Sequence, residues 1–157
     1  MNASLSFERL QRDLTALADE WRGQRPERQA RRHLERADFD ALRDRQLLLA
    51  PVPVGMGGLW EDVATSIRPL CEALRAIAGG DPSVALVSAM HPAVLGYWLA
   101  TPEGEAGGAW AEQRRAVFAT AEAGHQWGTI TSEPGSGGDI LRTRTAAVPL
   151  DGDHEGL

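Results

Sequence analysis

Between Asp81 and Glu103 the chain carries no charged residue, a run of twenty-one positions. A stretch this long and apolar has two homes, a lipid bilayer or the interior of a protein. It contains Ser83, Ser88, His91, Pro92 and Gly96, which lower its hydrophobicity on insertion scales. The sequence therefore reads as a helix from Pro82 to about Ala100, buried on all sides in a helical domain and not spanning a membrane. Asp81-Pro82 is the preferred order for a helix start: a capping carboxylate, then a residue whose missing N–H has no partner in the first turn anyway.

The neighbouring segments supply the layers that would bury it. Phe7, Leu10, Leu14, Leu17, Ala18 and Trp21 recur three and four residues apart, the stripe of an amphipathic helix. Ser6 or Ser4 is its candidate N-cap, and Gly23 to Pro26 breaks it. A short helix is expected after Asp38, with Phe39, Leu42 and Leu47 inward. Residues 50–58, Ala-Pro-Val-Pro-Val-Gly-Met-Gly-Gly, form a connector, because two prolines remove amide donors and three glycines permit positive φ. A helix from about Glu61 to Ala78 follows, with Val63, Ile67, Leu70, Cys71, Leu74 and Ile77 on one face, a kink at Pro69 and a stop at Gly79-Gly80. After a loop at 101–108, a last helix is expected near Trp110–Ala121.

Composition excludes several chemistries. All 16 basic residues are arginine. Without lysine there is no Walker-A lysine, no pyridoxal Schiff base and no lysine nucleophile. A single cysteine, Cys71, leaves no internal disulfide framework and no multi-cysteine metal site, and fits a reducing cytoplasm. The formal charge of −6 argues against general nucleic-acid binding, which needs an excess of cations to displace counterions. Eight arginines fall between Arg22 and Arg45, but acids are interleaved with them, and mixed rows of this kind read as a solvated helical face. The start, Met-Asn-Ala-Ser, shows neither a basic nor an apolar segment of a secretory leader. The five tryptophans read as core and interface anchors. Asp151-Gly-Asp-His-Glu-Gly156 imitates half of a calcium loop and reads as a polar hairpin tip.

At Gly124 the texture changes. Gly128-Thr-Ile-Thr-Ser132 is short and β-branched and reads as a strand, and Arg142-Thr-Arg-Thr-Ala-Ala-Val148 alternates and reads as a second. Between them lies Glu133-Pro-Gly-Ser-Gly-Gly-Asp139. A glycine-rich turn after a strand exposes backbone amides and lets a planar or anionic ligand approach. It is neither a dinucleotide fingerprint, nor a P-loop, nor a nucleophile elbow. On residue type alone it reads either as a ligand loop or as a plain surface turn. The fold class expected is α+β: a helical domain over residues 1–122, then the first strands of an incomplete β-domain over 123–157.

Ser132-Glu133-Pro134-Gly135-Ser136-Gly137-Gly138-Asp139 resembles the T-E-P-G-(A/S)-G-S-D signature of the acyl-CoA dehydrogenase family. The Pro-Val-Pro-Val-Gly-Met-Gly-Gly connector is similar to that family's "v-P-x-x-x-G-G". Gly80-Asp81-Pro82-Ser83-Val84-Ala85 with His91 downstream is similar to its central helix start. The resemblance covers about residues 5–150. It implies an N-terminal helical domain, a middle β-barrel-like domain, a C-terminal bundle, bound FAD and assembly into homo-oligomers. It also implies oxidation of an acyl-CoA thioester, with the α-proton removed by a glutamate and the β-hydride passed to flavin. Carried over by position, Thr129, Thr131 and Ser132 lie along the flavin, Gly137 and Gly138 sit at the flavin–substrate junction, and Gly138 stands where a substrate-contacting serine is common. The rest of the β-domain, the bundle and the catalytic glutamate are not in this chain, and Glu133 is no substitute for the last.

A related branch of the same fold comprises flavin monooxygenases, some with a histidine of the central helix facing the flavin. His91 matches that position and is the candidate catalytic residue, against the plainer reading of a hydrogen-bonded core histidine. His125 and His33 read as surface. Two other classes stand beside the enzyme. One is a non-catalytic helical or oligomerisation module whose site is completed by a further chain. The other is a phosphate-binding protein of another fold, resting on the glycine loop alone. No metal site is expected.

Overall fold

The computed structural model describes residues 5–101, 108–129, 133, 135 and 139–146. Seven helices lie among them: α1 (Phe7–Gly23), α2 (Arg25–Ala30), α3 (Arg36–Asp44), α4 (Val63–Gly80), α5 (Pro82–Ser88), α6 (Met90–Ala100) and α7 (Ala109–Glu122). Short 3-10 turns occupy Leu47–Leu49, Val54–Met56 and Ile140–Arg142.

Helix α1 follows its sequence stripe. Ser6 accepts from the Arg9 amide at 3.2 Å, and Leu10, Leu14, Leu17, Ala18 and Trp21 are buried. Its main partner is α4. The two helices touch most closely at Gly80, where a Cβ would fall 2.7 Å from Ala18 Cα. Gly79 and Gly80 therefore do not end α4 ahead of its last turn, as the sequence suggested. They belong to the helix, and Gly80 lets two backbones meet.

The buried face of α4 is rotated from the one read in the sequence. Ser66, Leu70, Ala73, Ile77 and Gly80 point inward, whereas Val63, Ile67 and Cys71 are exposed. Ser66 can occupy the interior because its hydroxyl accepts from the Glu61 amide at 2.9 Å, which meets the requirement of a buried polar group. Asp62 caps the helix by accepting from Thr65, which holds its carboxyl below the usual range. Pro69 lies inside a continuous helix.

The uncharged stretch is not one helix buried all round. It breaks at Ala89 into α5 and α6. It is long and apolar enough by length and composition to cross a membrane, but only 33% of it is buried. Val84, Ala85, Ser88, His91 and Leu95 point inward. Leu86, Met90 and Tyr97 point outward, at 71%, 39% and 69% exposure. The absence of charge thus marks two apolar faces, one buried and one not.

Two apolar clusters result. The larger joins α1, α3, α4 and α5 through residues such as Leu14, Leu42, Ile77 and Val84. The smaller gathers Val52, Leu95, Val117, Phe118 and Ala121, with Trp98 and Trp127 against it. Trp98 stacks on Trp110 with ring centroids 4.6 Å apart, tying α6 to α7. The connector at 50–58 folds back on itself, with the Trp60 amide donating to Val52 O at 2.8 Å and a single parallel bridge pairing Pro53 with Trp60.

The arginine-rich segment is not wholly a solvated face. Arg28 is 8% exposed and lies with its guanidinium 4.3 Å from the centre of the Trp21 ring. Its Nη2 is 2.9 Å from Asp81 Oδ2 and 3.0 Å from Asp38 Oδ1. Arg31 pairs with Asp38 at 3.1 Å and with Glu35 at 3.2 Å. Asp81 does cap α5, its Oδ1 accepting from Ser83 and Val84. Burial pushes its carboxyl up, but the amide bonds and Arg28 together outweigh that and hold it low. Asp38 sits inside α3 as part of this cluster, two residues past the helix start and not before it.

Among the described residues there is no strand. The expected strand from Arg142 begins instead as the 3-10 turn Ile140–Arg142, with Asp139 Oδ1 accepting from the Leu141 amide at 3.0 Å. Residues 143–146 have no regular structure. A strand needs a neighbouring strand to pair its amides, and here the Arg144 and Thr145 amides are taken by the Glu133 carboxylate instead.

Candidate functional site

Past α7 the chain turns sharply at Gly124, whose φ of +87° suits a residue without a side chain. This sends residues 124–128 back over the helices. A cleft of about 450 Å³ opens between that segment and α3, α5 and α6. Phe39, Leu48, Val87, Met90 and Trp127 form its apolar walls, and Arg36, Asp40 and Arg43 stand on its rim. The rim cations share one acid: Arg43 Nη1 is 2.8 Å from Asp40 Oδ1, and Arg36 Nε is 3.9 Å from Asp40 Oδ2. Arg43 Nη2 also reaches Asp44 at 3.3 Å.

His91 holds this segment to the helices. It is 1% exposed and does not line the cleft. Its Nδ1 accepts from the Trp127 amide at 3.0 Å, so the proton resides on Nε2, which donates to Leu48 O at 2.9 Å. Both neighbours are cleft residues, so the imidazole stands behind the wall as a two-ended tie. Burial drives its pKa below the ordinary 6.5, although the bond to Leu48 opposes this. Trp127 is fixed a second time by its indole N–H, which donates to Thr120 Oγ1 at 2.8 Å.

The sequence candidates distribute unevenly. His91 has both ring nitrogens engaged by backbone. Thr129 is exposed at the end of the run that crosses the cleft. Thr131, Ser132, Gly137 and Gly138 lie outside the described residues. Glu133 is described, and its carboxylate accepts from the Arg144 amide and from the amide and hydroxyl of Thr145. The Thr145 hydroxyl, followed by the Arg144 amide, holds its pKa low, and the carboxylate ties residue 133 to residues 144 and 145. His125 and His33 are exposed. No group of three or more His, Cys, Asp or Glu residues is placed to hold a metal among the described residues.

Phe39, Leu48 and the Trp127 amide were not singled out from sequence. Phe39 read as an ordinary core position, Leu48 was given no reading, and a backbone donor has no signature at all. The described cleft fits a planar, ring-sized group by its volume and its aromatic walls. On its rim Arg43 pairs closely with Asp40, whereas Arg36 lies 3.9 Å from that carboxylate with its side chain largely exposed. Comparisons with protein-family models, curated proteins and solved structures gave no match.

Proposed function

We propose that this chain is the N-terminal portion of an FAD-dependent oxidoreductase of the acyl-CoA dehydrogenase type, oxidising the CH–CH bond of an acyl-CoA-like substrate. The observation that carries the reading is the segment Ser132–Asp139, whose glycine-rich order resembles that family's flavin loop. The position of the cleft supports it: residues 124–129 cross a ring-sized apolar recess immediately before that loop. FAD, when bound, supplies the hydride acceptor. Of this chain's own residues, Thr129, Thr131 and Ser132 follow the flavin, and Gly137 and Gly138 leave room at the substrate junction. His91 is a positioning residue, since it fixes Trp127 and touches no open space. The residues from 123 onward open the β-domain that would complete the site, with substrate and a second copy or further chain as partners.

The test is direct. The purified chain is inspected for a flavin band at about 450 nm, a wavelength set by the oxidised cofactor, and then titrated with FAD. Saturable binding supports the reading; no band and no binding at millimolar FAD counts against an autonomous flavin site. A second reading, a helical association module without catalysis, is favoured by the exposed apolar side chains of Leu86 and Tyr97, which lie outside the cleft. Concentration-dependent self-association without FAD binding selects it.

A further inference from the structure

At the start of α5, sharing no lining residue with the proposed flavin cleft, lies a second recess of about 320 Å³. It is bordered by α2, by residues 31–34 and by the start of α5. Four arginines (25, 28, 31 and 32) and two aspartates (38 and 81) line it, an excess of positive charge in a chain whose formal charge is −6.

The aspartates do not offset that excess at the mouth, because they are already committed. Asp81 Oδ1 serves the Ser83 and Val84 amides, and its Oδ2 takes the Arg28 Nε at 2.9 Å. Asp38 takes Arg28 at 3.0 Å and Arg31 at 3.1 Å. Glu35, outside the recess, is paired with Arg31. The floor is thus two cations against two anions, with Arg28, Asp38 and Asp81 buried and Arg31 half-buried. Arg25 and Arg32 are exposed and have no carboxylate within ion-pair distance among the described residues. Gln29, His33 and Ser83 bring further donor groups to the same walls. The two carboxylates of the recess are thus engaged, while Arg25 and Arg32 keep their N–H groups for a ligand.

We propose that this recess binds a phosphate-type dianion, held by the guanidinium groups of Arg25 and Arg32 above the neutral Arg28–Asp81–Asp38–Arg31 floor. Guanidinium groups match tetrahedral oxyanions because each presents two N–H bonds in one plane. The floor keeps Asp38 and Asp81 from competing with the ligand. A local positive field inside an acidic protein attracts an anion that the molecule as a whole repels. The volume accommodates the phosphate with a small organic group attached.

Isothermal calorimetry on the full chain at low salt tests this, with inorganic phosphate and AMP as probes. Saturable binding of either supports the site; equal affinity assigns it to the free oxyanion, and tighter AMP binding to a phosphate carried on an organic group. The Arg25→Gln and Arg32→Gln changes are each expected to weaken binding about tenfold, since one charge-assisted hydrogen bond is lost. Arg75→Gln, which removes the same charge from α4, leaves it unchanged. Melting temperatures of the three variants match the parent, because all three side chains are exposed. Absence of heat with both probes at about 10 mM, where only affinities too weak for a built site escape detection, overturns the proposal. So does an equal loss in Arg75→Gln, which marks a response to net charge only.

Discussion

His91 keeps a neutral ring because its Nδ1 is an acceptor for Trp127 and the surroundings are dry. Its folded pKa lies below the ordinary 6.5, so the unfolded chain takes up a proton first as pH falls. Stability is fully present above 6.5 and declines from there downward until the folded ring also protonates. Melting curves between neutral and mildly acidic pH are expected to show this decline, and His91→Gln to flatten it. A slope unchanged in His91→Gln would assign the decline to other groups. Gly80 makes a different point about single residues. Gly80→Ala gains about 1 kcal/mol of helix propensity. It also drives a methyl to 2.7 Å from the Ala18 backbone, an overlap that cannot be relieved by turning a side chain. Overpacking of this kind costs about 1–3 kcal/mol. Urea titration should therefore show net destabilisation, whereas a glycine serving only to end the helix would give a gain on replacement.

At the scale of the element, α5 and α6 each divide into a working face and an open one. Leu95 is fully buried, and Leu95→Ala is expected to cost about 2–5 kcal/mol. Leu86→Gln and Tyr97→Gln, on the open face, should each stay within about 0.5 kcal/mol of the parent. Comparable losses at all three positions, measured by denaturant unfolding, would mean that the outer face is covered in solution. The start of α5 concentrates more energy than a cap normally does. Removing Asp81 takes away the cap and leaves the buried Arg28 with Asp38 alone. Loss of one member of a buried ion pair costs about 3–5 kcal/mol, against about 1 kcal/mol for a cap. Asp81→Ala should therefore lose at least 3 kcal/mol by the buried-pair figure alone. A loss near 1 kcal/mol, the size of a cap, would show that Arg28 finds another partner.

For the whole molecule, the 3-10 turn Leu47–Leu49 places Leu47 in the larger apolar cluster and Leu49 against the smaller, so the two should unfold in one transition. Far-ultraviolet circular dichroism and tryptophan fluorescence are expected to give coincident urea curves. Separated midpoints would show that the cluster around Phe118 melts independently. Much of this architecture was legible in the sequence. The i, i+3, i+4 spacing of Leu10, Leu14, Leu17 and Trp21 decides a helix and its inner face, because only one face of a 3.6-residue period can carry it. Asp81-Pro82 decides a helix start, because its chemistry is local. What depends on a partner was not legible. Arg28 continues the stripe seven residues beyond Trp21, yet only the meeting of α2, α3 and α5 makes its burial tolerable. Ser66 and Gly80 face inward on α4 while Val63 and Ile67 face out, since the closest approach of two backbones, and not hydrophobicity, sets that helix's rotation. The uncharged stretch fixed that α5 and α6 could touch apolar surface on every side. Which side they touch was decided by packing, as was the tautomer of His91, which depends on an amide 36 residues away.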